Sequence, residues 1–382
     1  MAGLYDIGSF HKVIGFADNY QRFFLLKYVE NLHVDTLRGF AMSGTDEHLK
    51  SGTSKAWNWH PDLPVAITPL FAWPPKPVAT LKWFADRWLP VTEFTVYALM
   101  AWATWAWLAP PLEHMQTLSW GWVLQLWARN LIMLIIFAQG LHLWLYGWKR
   151  QGDDFKYDRR GLAKNAGIFL WNDQYWDNVT YALLSGVTIW TVFDAIVWMG
   201  YANGWAPMIT VQSNPVWFFA LFLLFPLIQS FHFYWLHRAL HVPWIYKRVH
   251  SVHHRSVSVA PWSGFSMHPI EHIGYMSLLL IFLVVPAHPI HFMFLGYWLV
   301  LATATSHAGF ENLVLGDKAH LKVGSFHHQL HHRYFECNYG NAEMPWDNWF
   351  GSYHDGSHEA TERVRETKKR MYANIQREGK NN

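Results

Sequence analysis

The chain has 382 residues, of which 52% are apolar and only 15% are charged. Ordinary soluble domains carry roughly 25% charged residues, so the composition favours a membrane protein over a soluble one. A net charge of +3 is too small to indicate nucleic-acid binding. The 25 tryptophans are typical of proteins whose aromatic side chains lie at membrane–water interfaces. The single cysteine, Cys337, excludes intrachain disulfides and metal sites made of several thiolates.

Polar stretches and a proline-rich segment predict that residues 1–90 are a cytoplasmic or membrane-surface region. Transmembrane helices are predicted within 91–236, where four apolar runs approach or exceed the roughly 20 residues that cross a bilayer. The runs lie near 93–110, 119–147, 178–201 and 215–236. A catalytic domain is predicted at 237–354 and includes a membrane hairpin near 273–306, where two prolines break the apolar stretch. The charged tail, 355–382, predicts a solvated helix.

Loop charges orient these spans. The loop 149–177 carries six Lys and Arg residues, whereas the loops 111–118 and 202–214 carry none. The positive-inside rule therefore places the basic loop in the cytoplasm, and span counting brings 237–272 to the same side. We predict an all-α, polytopic membrane bundle of four to six spans with a cytoplasmic helical cap. Because no C-terminal retrieval signal is present, the bacterial inner membrane is favoured over the endoplasmic reticulum.

Two charged residues fall inside predicted spans. Arg129 lies in the second run and Asp194 in the third, at comparable depth in the non-cytoplasmic half. An unpaired charge in hydrocarbon is costly, which favours an ion pair between the two helices. The alternative is that both side chains reach back to the outer interface.

Three histidine clusters follow the fourth apolar run. They are His237 and His241, then His250, His253 and His254, then His328, His331 and His332. Spacings of three and four place these side chains on one face of a helix. Imidazole suits iron, zinc, copper and nickel. Eight neutral imidazoles cannot surround a single ion, so the clusters predict a dimetal site carried by the cap.

The segments around these clusters add a more specific pattern. They are His268-Pro-Ile-Glu271, Ser306-His307-Ala-Gly309, Asn338-Tyr339-Gly340 and Trp346-Asp347 followed by Phe350-Gly351. In order and spacing, His237 to Gly351 resembles the fatty acid hydroxylase/sterol desaturase superfamily of integral membrane di-iron oxygenases. The match covers roughly a third of the chain.

The resemblance implies nine metal ligands: His237, His241, His250, His253, His254, His307, His328, His331 and His332. Some members of the superfamily carry a further HxxxH pair where this chain has His307 and Glu311. Glu311 is therefore our favoured tenth ligand, with a water or His327 as alternatives.

Ligating histidines usually donate their other N–H to a nearby acceptor. The candidates are Glu271, Asn338 and Asp347. Five other histidines are expected at the interface or surface: His288, His291, His320, His354 and His358.

The resemblance also implies two iron ions, with zinc as a substitute in purified material. It implies O2, a lipid substrate from the bilayer and a separate electron donor, either cytochrome b5 or a ferredoxin with its reductase. Hydroxylation of an unactivated C–H bond is favoured, and desaturation on the same site stays open. A histidine-rich membrane metal transporter or metal-binding protein is the alternative from another class. A transporter, however, would place its histidines within the spans, near the midplane.

Overall fold

The computed structural model describes residues 57–88, 92–316 and 319–378. Contacts divide the chain into two units, Asn58–Gly356 and a unit of both termini, Met1–Trp57 with Ser357–Asn382. Most of the predicted region 1–90 lies outside the described residues. In the terminal unit, the described part contains the helix His358–Glu378, where the sequence predicts a tail helix. The predicted domain boundaries stay predictions.

The larger unit is mostly helical. In chain order its helices are α1 (Pro77–Trp88), α2 (Glu93–Ala103), α3 (Trp120–Gly147), α4 (Gln174–Ala202), α5 (Pro215–Leu240), α6 (Pro269–Leu283), α7 (Pro289–Ser306), α8 (Phe326–Tyr334) and α9 (Trp346–Trp349). Three short helical segments, Pro243–Ile245, Tyr246–His250 and Ser251–His254, follow one another after α5. Single 3₁₀ turns lie at Leu112–Met115, Leu170–Asn172 and Pro261–Phe265. The all-α expectation misses one antiparallel hairpin of β1 (Asn312–Leu315) and β2 (Ala319–Lys322).

The starts of three long helices are set by a cap followed by proline. Asn214, His268 and His288 each accept a hydrogen bond from a backbone N–H of the first turn, and a proline occupies the next position. Proline suits the first helical position because its missing N–H would have had no partner there. The two His-Pro pairs, at 268–269 and 288–289, are therefore helix starts, and α6 and α7 lie where the sequence predicts the two limbs of a hairpin.

Four helices in the described part of the chain are long and apolar enough to cross a membrane: α3, α4, α5 and α7. This agrees with the predicted membrane bundle. The first predicted span, near 93–110, is not among them, because α2 and its π-helical extension end at Leu108. The prolines at 110 and 111 stop it, so it falls short of a candidate span. Instead α2 packs along α7, which is mostly buried inside the bundle.

The bundle has two chemically different ends. At one end the loops 111–118 and 202–214 meet, where Asn203 donates to the carbonyl of Gln116 and Ala287 donates to that of Pro207. The link between α6 and α7 therefore lies at this end. The basic loop 149–177 lies at the other end, beside the histidine clusters. Exposed tryptophans flank both ends: Trp107, Trp120 and Trp205 at the first, and Trp148, Trp171, Trp176 and Trp244 at the second.

Arg129 and Asp194 form the ion pair that the sequence predicts. Their side chains contact each other between α3 and α4, and both are almost fully buried. Asn130 accepts from the Arg129 guanidinium at 2.8 Å and donates to Asp194 at 2.9 Å. The pair is thus hydrogen-bonded within the bundle, and the alternative of two side chains that reach the interface is wrong.

Candidate metal centre

Each histidine cluster is carried by its own helical segment. The last turn of α5 carries His237, and His241 follows as its C-terminal cap. The run Pro243–His254 carries the second cluster, and its π-helical part ends at His250. The third cluster lies on α8, whose N-terminus is capped by the Ser325 hydroxyl. His307 ends α7, so four separate parts of the chain contribute imidazoles.

The nine predicted ligands separate into two groups, and within each group the candidate ligand atoms lie within 4.8 Å of one another. The first group is His237, His241, His250, His254 and His331. The second group is His253, His307, His328 and His332. Eight of the nine are buried, and His241 is half-buried. The second cluster divides between the groups, since His250 and His254 serve one and His253 the other.

Backbone carbonyls and one carboxylate fix the orientation of five of these rings. In the first group, His237 Nδ1 donates to the Tyr339 carbonyl at 2.6 Å and His331 Nδ1 to the Cys337 carbonyl at 2.6 Å. His250 Nδ1 donates to Glu271 Oε1 at 2.8 Å. In the second group, His253 Nδ1 lies 3.3 Å from the Ser266 carbonyl and His307 Nδ1 lies 2.9 Å from the Thr303 carbonyl. Because a carbonyl oxygen can only accept, and so can the oxygen of an ionised carboxylate, these rings carry their proton on Nδ1.

The remaining nitrogens then face one another with lone pairs. His237 Nε2 lies 3.0 Å from His250 Nε2, and His307 Nε2 lies 3.3 Å from His253 Nε2. With the proton on Nδ1 in all four rings, neither contact can be a hydrogen bond. Two lone pairs at this distance repel each other unless a cation lies between them. Both groups therefore fit a bound metal ion, and the donor set is imidazole alone.

The protonation state of the buried rings supports the same conclusion. Burial lowers the pKa of His250 to about 3 and that of His253 to about 4. Burial, together with the neighbouring imidazoles, holds the pKa values of His254, His331 and His332 well below the ordinary value. The rings are therefore neutral near pH 7, which is the form that binds a metal ion.

Glu311, the favoured tenth ligand, is not part of either group. Its carboxylate accepts from the Tyr157 hydroxyl at 2.6 Å and pairs with Lys322 at 2.7 Å. Burial and the Glu311 carboxylate raise the pKa of Tyr157 well above its ordinary value, so the phenol keeps its proton and donates. Both carboxylate oxygens are engaged away from the imidazoles. His327 also points elsewhere, with its Nε2 3.3 Å from Asp347 Oδ2.

The three predicted hydrogen-bond partners act in different ways. Glu271 touches a ring directly through His250. Asp347 accepts from the backbone N–H groups of Tyr339 and Gly340 at 2.8 Å each, and so holds the loop whose carbonyl receives His237. Asn338 donates to the carbonyls of His327 and His354. Asp347 and Asn338 therefore support the loop that follows α8 rather than one of the nine predicted ligands.

Two tyrosines that the sequence pattern does not single out also hold the site together. The Tyr146 hydroxyl lies 3.0 Å from the carbonyl of Ala308 and 2.9 Å from that of Val259. Tyr146 therefore joins α3 to the residue after His307 and to the segment after the second cluster. Tyr157 reaches Glu311 in the same region. Neither has motif spacing, because each acts on a chain segment remote in sequence.

Two of the five histidines expected at the interface or surface are buried instead. His291 is fully buried and donates from Nε2 to the Phe218 carbonyl at 2.8 Å. His354 is buried and stacks on Tyr334. Each ring contacts groups from other parts of the fold. Tertiary contacts of this kind, which the sequence does not reveal, explain why both are buried. His358 is exposed, as expected.

The structure combines four helices long and apolar enough to cross a membrane with two adjacent all-histidine groups that could each hold a metal ion. Residues 222–352 match the family model described as fatty acid hydroxylase. This segment, about a third of the chain, is similar to that family and supports the resemblance to the fatty acid hydroxylase/sterol desaturase superfamily seen in the sequence. No solved structure matches the chain.

Several curated proteins resemble part of the chain. The Delta(7)-sterol 5(6)-desaturase ERG3B of Gibberella zeae is 33% identical over 135 residues, which is 34% of this chain and 41% of that protein. The Delta(7)-sterol 5(6)-desaturase of Eremothecium gossypii is 32% identical over 144 residues, 36% of this chain and 38% of that protein. A putative Delta(7)-sterol-C5(6)-desaturase 2 of Arabidopsis thaliana is 26% identical over 180 residues, 45% of this chain and 62% of that protein. The matches span about two fifths of the first two relatives.

Proposed function

We propose that the protein is a membrane-bound, iron-dependent oxidoreductase that acts on a lipid C–H bond. The observation that carries the proposal is the pair of all-histidine groups, in which unprotonated Nε2 atoms face one another at 3.0 and 3.3 Å. Two iron ions, when bound there, would supply the redox chemistry that activates O2. The ligand set proposed is the nine histidines of the two groups.

Iron suits the first group better than structural zinc does. Structural zinc is almost always bound by four ligands, usually with cysteine among them. The first group offers five imidazoles, and neither group includes a carboxylate or thiolate from the described residues. Ligand atoms about 2.1 Å from one ion lie about 3 Å apart when they subtend a right angle. The Nε2 separations of 3.0 to 3.2 Å in the first group agree with that arrangement.

The residues of this chain would hold and shield the centre. Glu271 and the four carbonyls orient the imidazoles through Nδ1, which leaves each Nε2 free to bind metal. Burial of the ligands excludes bulk water, which would otherwise compete with a reactive centre. The site also lies where α5 and α7 emerge from the apolar part of the bundle, so a substrate dissolved in the bilayer is the one within reach.

Desaturation fits the relatives at least as well as hydroxylation, which the sequence favoured. The relatives named above are sterol 5(6)-desaturases, and the family model carries the name of a hydroxylase. We therefore favour removal of two hydrogens from a sterol-like lipid, with hydroxylation as the second outcome. O2 and a separate electron donor, cytochrome b5 or a ferredoxin, belong to the same proposal.

The relatives are fungal and plant proteins, which supports a location in the endoplasmic reticulum over one in the bacterial inner membrane.

Iron analysis of the purified protein tests this proposal. We expect about two iron atoms per chain and no haem absorption, because the two groups offer one site each. His253→Ala should lose iron from the second group and abolish lipid oxidation while the helical content stays unchanged. His358→Ala, at an exposed position, is the matched control and should keep both.

The product identifies the reaction. Membranes that contain the active protein should accumulate a lipid lighter by two hydrogens if it desaturates, or heavier by one oxygen if it hydroxylates. A single zinc atom per chain, or full lipid oxidation by His253→Ala, would overturn the proposal. Metal bound without any lipid product would favour the transporter or metal-binding alternative.

A further inference from the structure

An open groove of about 470 Å³ lies on the outer face of α4, one layer away from the second histidine group. Its walls are the π-helical part of α4, Tyr181–Val187, the turn that follows, and Pro269 at the start of α6. The lining residues are Leu170, Thr180, Tyr181, Leu184, Ser185, Thr188, Ile189 and Pro269.

The groove lies within a candidate membrane span. Thr180 and Ile189 follow the first residue of α4 by about 10 to 20 Å along the helix axis. Exposed Trp176 lies in the first turn of α4 and exposed Trp171 just before it, where tryptophans mark the membrane–water interface. The groove therefore opens toward lipid rather than toward water. Its lining includes no charged residue, which disfavours a charged headgroup inside it.

The inner wall of the groove is polar, and two of its hydroxyls already donate within the protein. His272 Nε2 lies 3.2 Å from the Phe265 carbonyl and must donate to it. The other nitrogen, Nδ1, is then an acceptor, so the Ser185 hydroxyl 3.0 Å away donates to it. The Thr180 hydroxyl likewise donates to the Trp176 carbonyl at 2.7 Å. Both hydroxyl oxygens keep lone pairs, so the groove offers acceptors and suits a ligand that brings an O–H.

The same wall connects the groove to the metal centre. Phe265, whose carbonyl receives His272, directly precedes Ser266, whose carbonyl receives His253 Nδ1. Gly186 allows this close packing, since a Cβ there would overlap the Phe265 ring and approach His272 Nε2 to 3.0 Å. A single layer, His272 with Phe265 and Ser266, thus separates the groove from a predicted iron ligand.

We propose that this groove binds an uncharged, hydroxyl-bearing lipid from the bilayer, with the lipid hydroxyl donating to Ser185. The hydrocarbon lies against Leu184 and Ile189, and the bound lipid waits beside the second histidine group. This inference rests on the proposed function for its link to catalysis, but the binding site stands on the groove alone. Free fatty acids fit this groove less well, because its lining offers no cation to pair with a carboxylate.

Photo-labelling of the iron-loaded protein in nanodiscs tests the site. A diazirine-bearing cholesterol should label the peptide that contains Thr180–Ile189. Leu184→Trp fills the groove and should lower this labelling roughly tenfold, as a block worth about 1.4 kcal/mol would. Val192→Trp is the matched control, since Leu184 is 72% exposed and Val192 51% exposed on the same helix, and Val192 does not line the groove.

The hydroxyl preference has its own test. Unlabelled cholesterol should compete with the probe, whereas cholestane, which lacks the hydroxyl, and palmitate should not. Ser185→Ala should weaken labelling roughly threefold to tenfold, the effect of one hydrogen bond, and Ser185→Thr should restore it. Three results would overturn the proposal. The first is equal labelling of the wild type and Leu184→Trp, and the second is an equal loss of labelling in both tryptophan variants. The third is competition by cholestane as strong as that by cholesterol.

Iron content measured on the same samples separates the two proposals. Absence of iron from the wild type would refute the proposed function and leave a groove labelling result standing. Two irons per chain with labelling outside Thr180–Ile189 would refute only the groove. Unchanged iron in Leu184→Trp shows that the variant is folded, so a loss of its labelling is a loss of the site.

Discussion

At the scale of single residues, the centre depends on where each imidazole sends its Nδ1–H. Backbone carbonyls receive the proton of His237, His331 and His307, and a carboxylate receives that of His250. These contacts fix both the tautomer and the rotation of each ring. They also make the facing nitrogens acceptors, which is the electronic form that a metal ion needs.

Glu271 is the one acceptor among them that substitution can change directly. Glu271→Ala should lower iron affinity about 10-fold to 100-fold, the usual effect of removing such a partner from a ligating histidine. Glu271→Gln should lose less, because an amide oxygen can still accept from His250 Nδ1. Chelator-driven iron release measures both, with Glu359→Ala as the exposed control. Identical release from Glu271→Ala and wild type would contradict this role.

The Arg129–Asp194 pair makes a separate prediction about stability. Removing one partner leaves the other buried without its counter-charge, so Arg129→Ala and Asp194→Asn should each lose about 3–5 kcal/mol. Replacing both, as in Arg129→Met with Asp194→Leu, should cost less than the sum of the two single changes. Thermal unfolding in detergent measures the three variants. Unchanged stability in Asp194→Asn beside a sharp loss in Arg129→Ala would argue against the pair.

At the scale of elements, the 3₁₀ turn Pro261–Phe265 fits tightly against the end of α7. Gly264 faces this helix, and a Cβ there would overlap the Thr303 carbonyl and lie 2.9 Å from His307 Nδ1. Thr303 is the residue whose carbonyl orients His307. The absence of a side chain at 264 therefore sets how closely the turn approaches a predicted ligand.

Gly264→Ala should consequently destabilise the protein by about 1–3 kcal/mol through overpacking. It should also disturb iron at the second group more than at the first. Gly140→Ala is the matched control, because a Cβ at 140 meets nothing within 4 Å and alanine favours a helix. Melting temperature and iron stoichiometry measure both variants. A Gly264→Ala protein as stable as Gly140→Ala would show that the turn can move away.

At the scale of the whole molecule, local spacing predicted that the histidines converge, but not that the second and third clusters each divide between the two groups. Spacings of three and four imply one helix face, and the structure brings the eight histidines of the three clusters and His307 together. Partners set by tertiary contact could not be predicted. Glu311 has the expected i+4 spacing from His307, yet Tyr157 and Lys322 engage it. The acceptors of most Nδ1 protons are backbone carbonyls, which leave no side-chain pattern in a sequence.

The membrane part shows the same division. Apolar run length predicted α3, α4 and α5, and the proline pair predicted the hairpin. The length of the apolar runs did not predict that α7 is buried in the centre of the bundle. It also did not predict that α2 ends before it is long enough to be a candidate span. Burial depends on which helices surround a segment, and hydropathy alone does not report it.

The predicted ligands come from four separate parts of the chain, so metal binding would affect the folding and the degradation of the protein. Each ion would tie the second cluster to α8, one through the end of α5 and the other through the end of α7. Binding free energy at such a site is also folding free energy. Newly made protein would therefore complete its structure only when iron reaches it, and scarcity of iron would shorten its survival against cellular proteases as well as reduce its turnover.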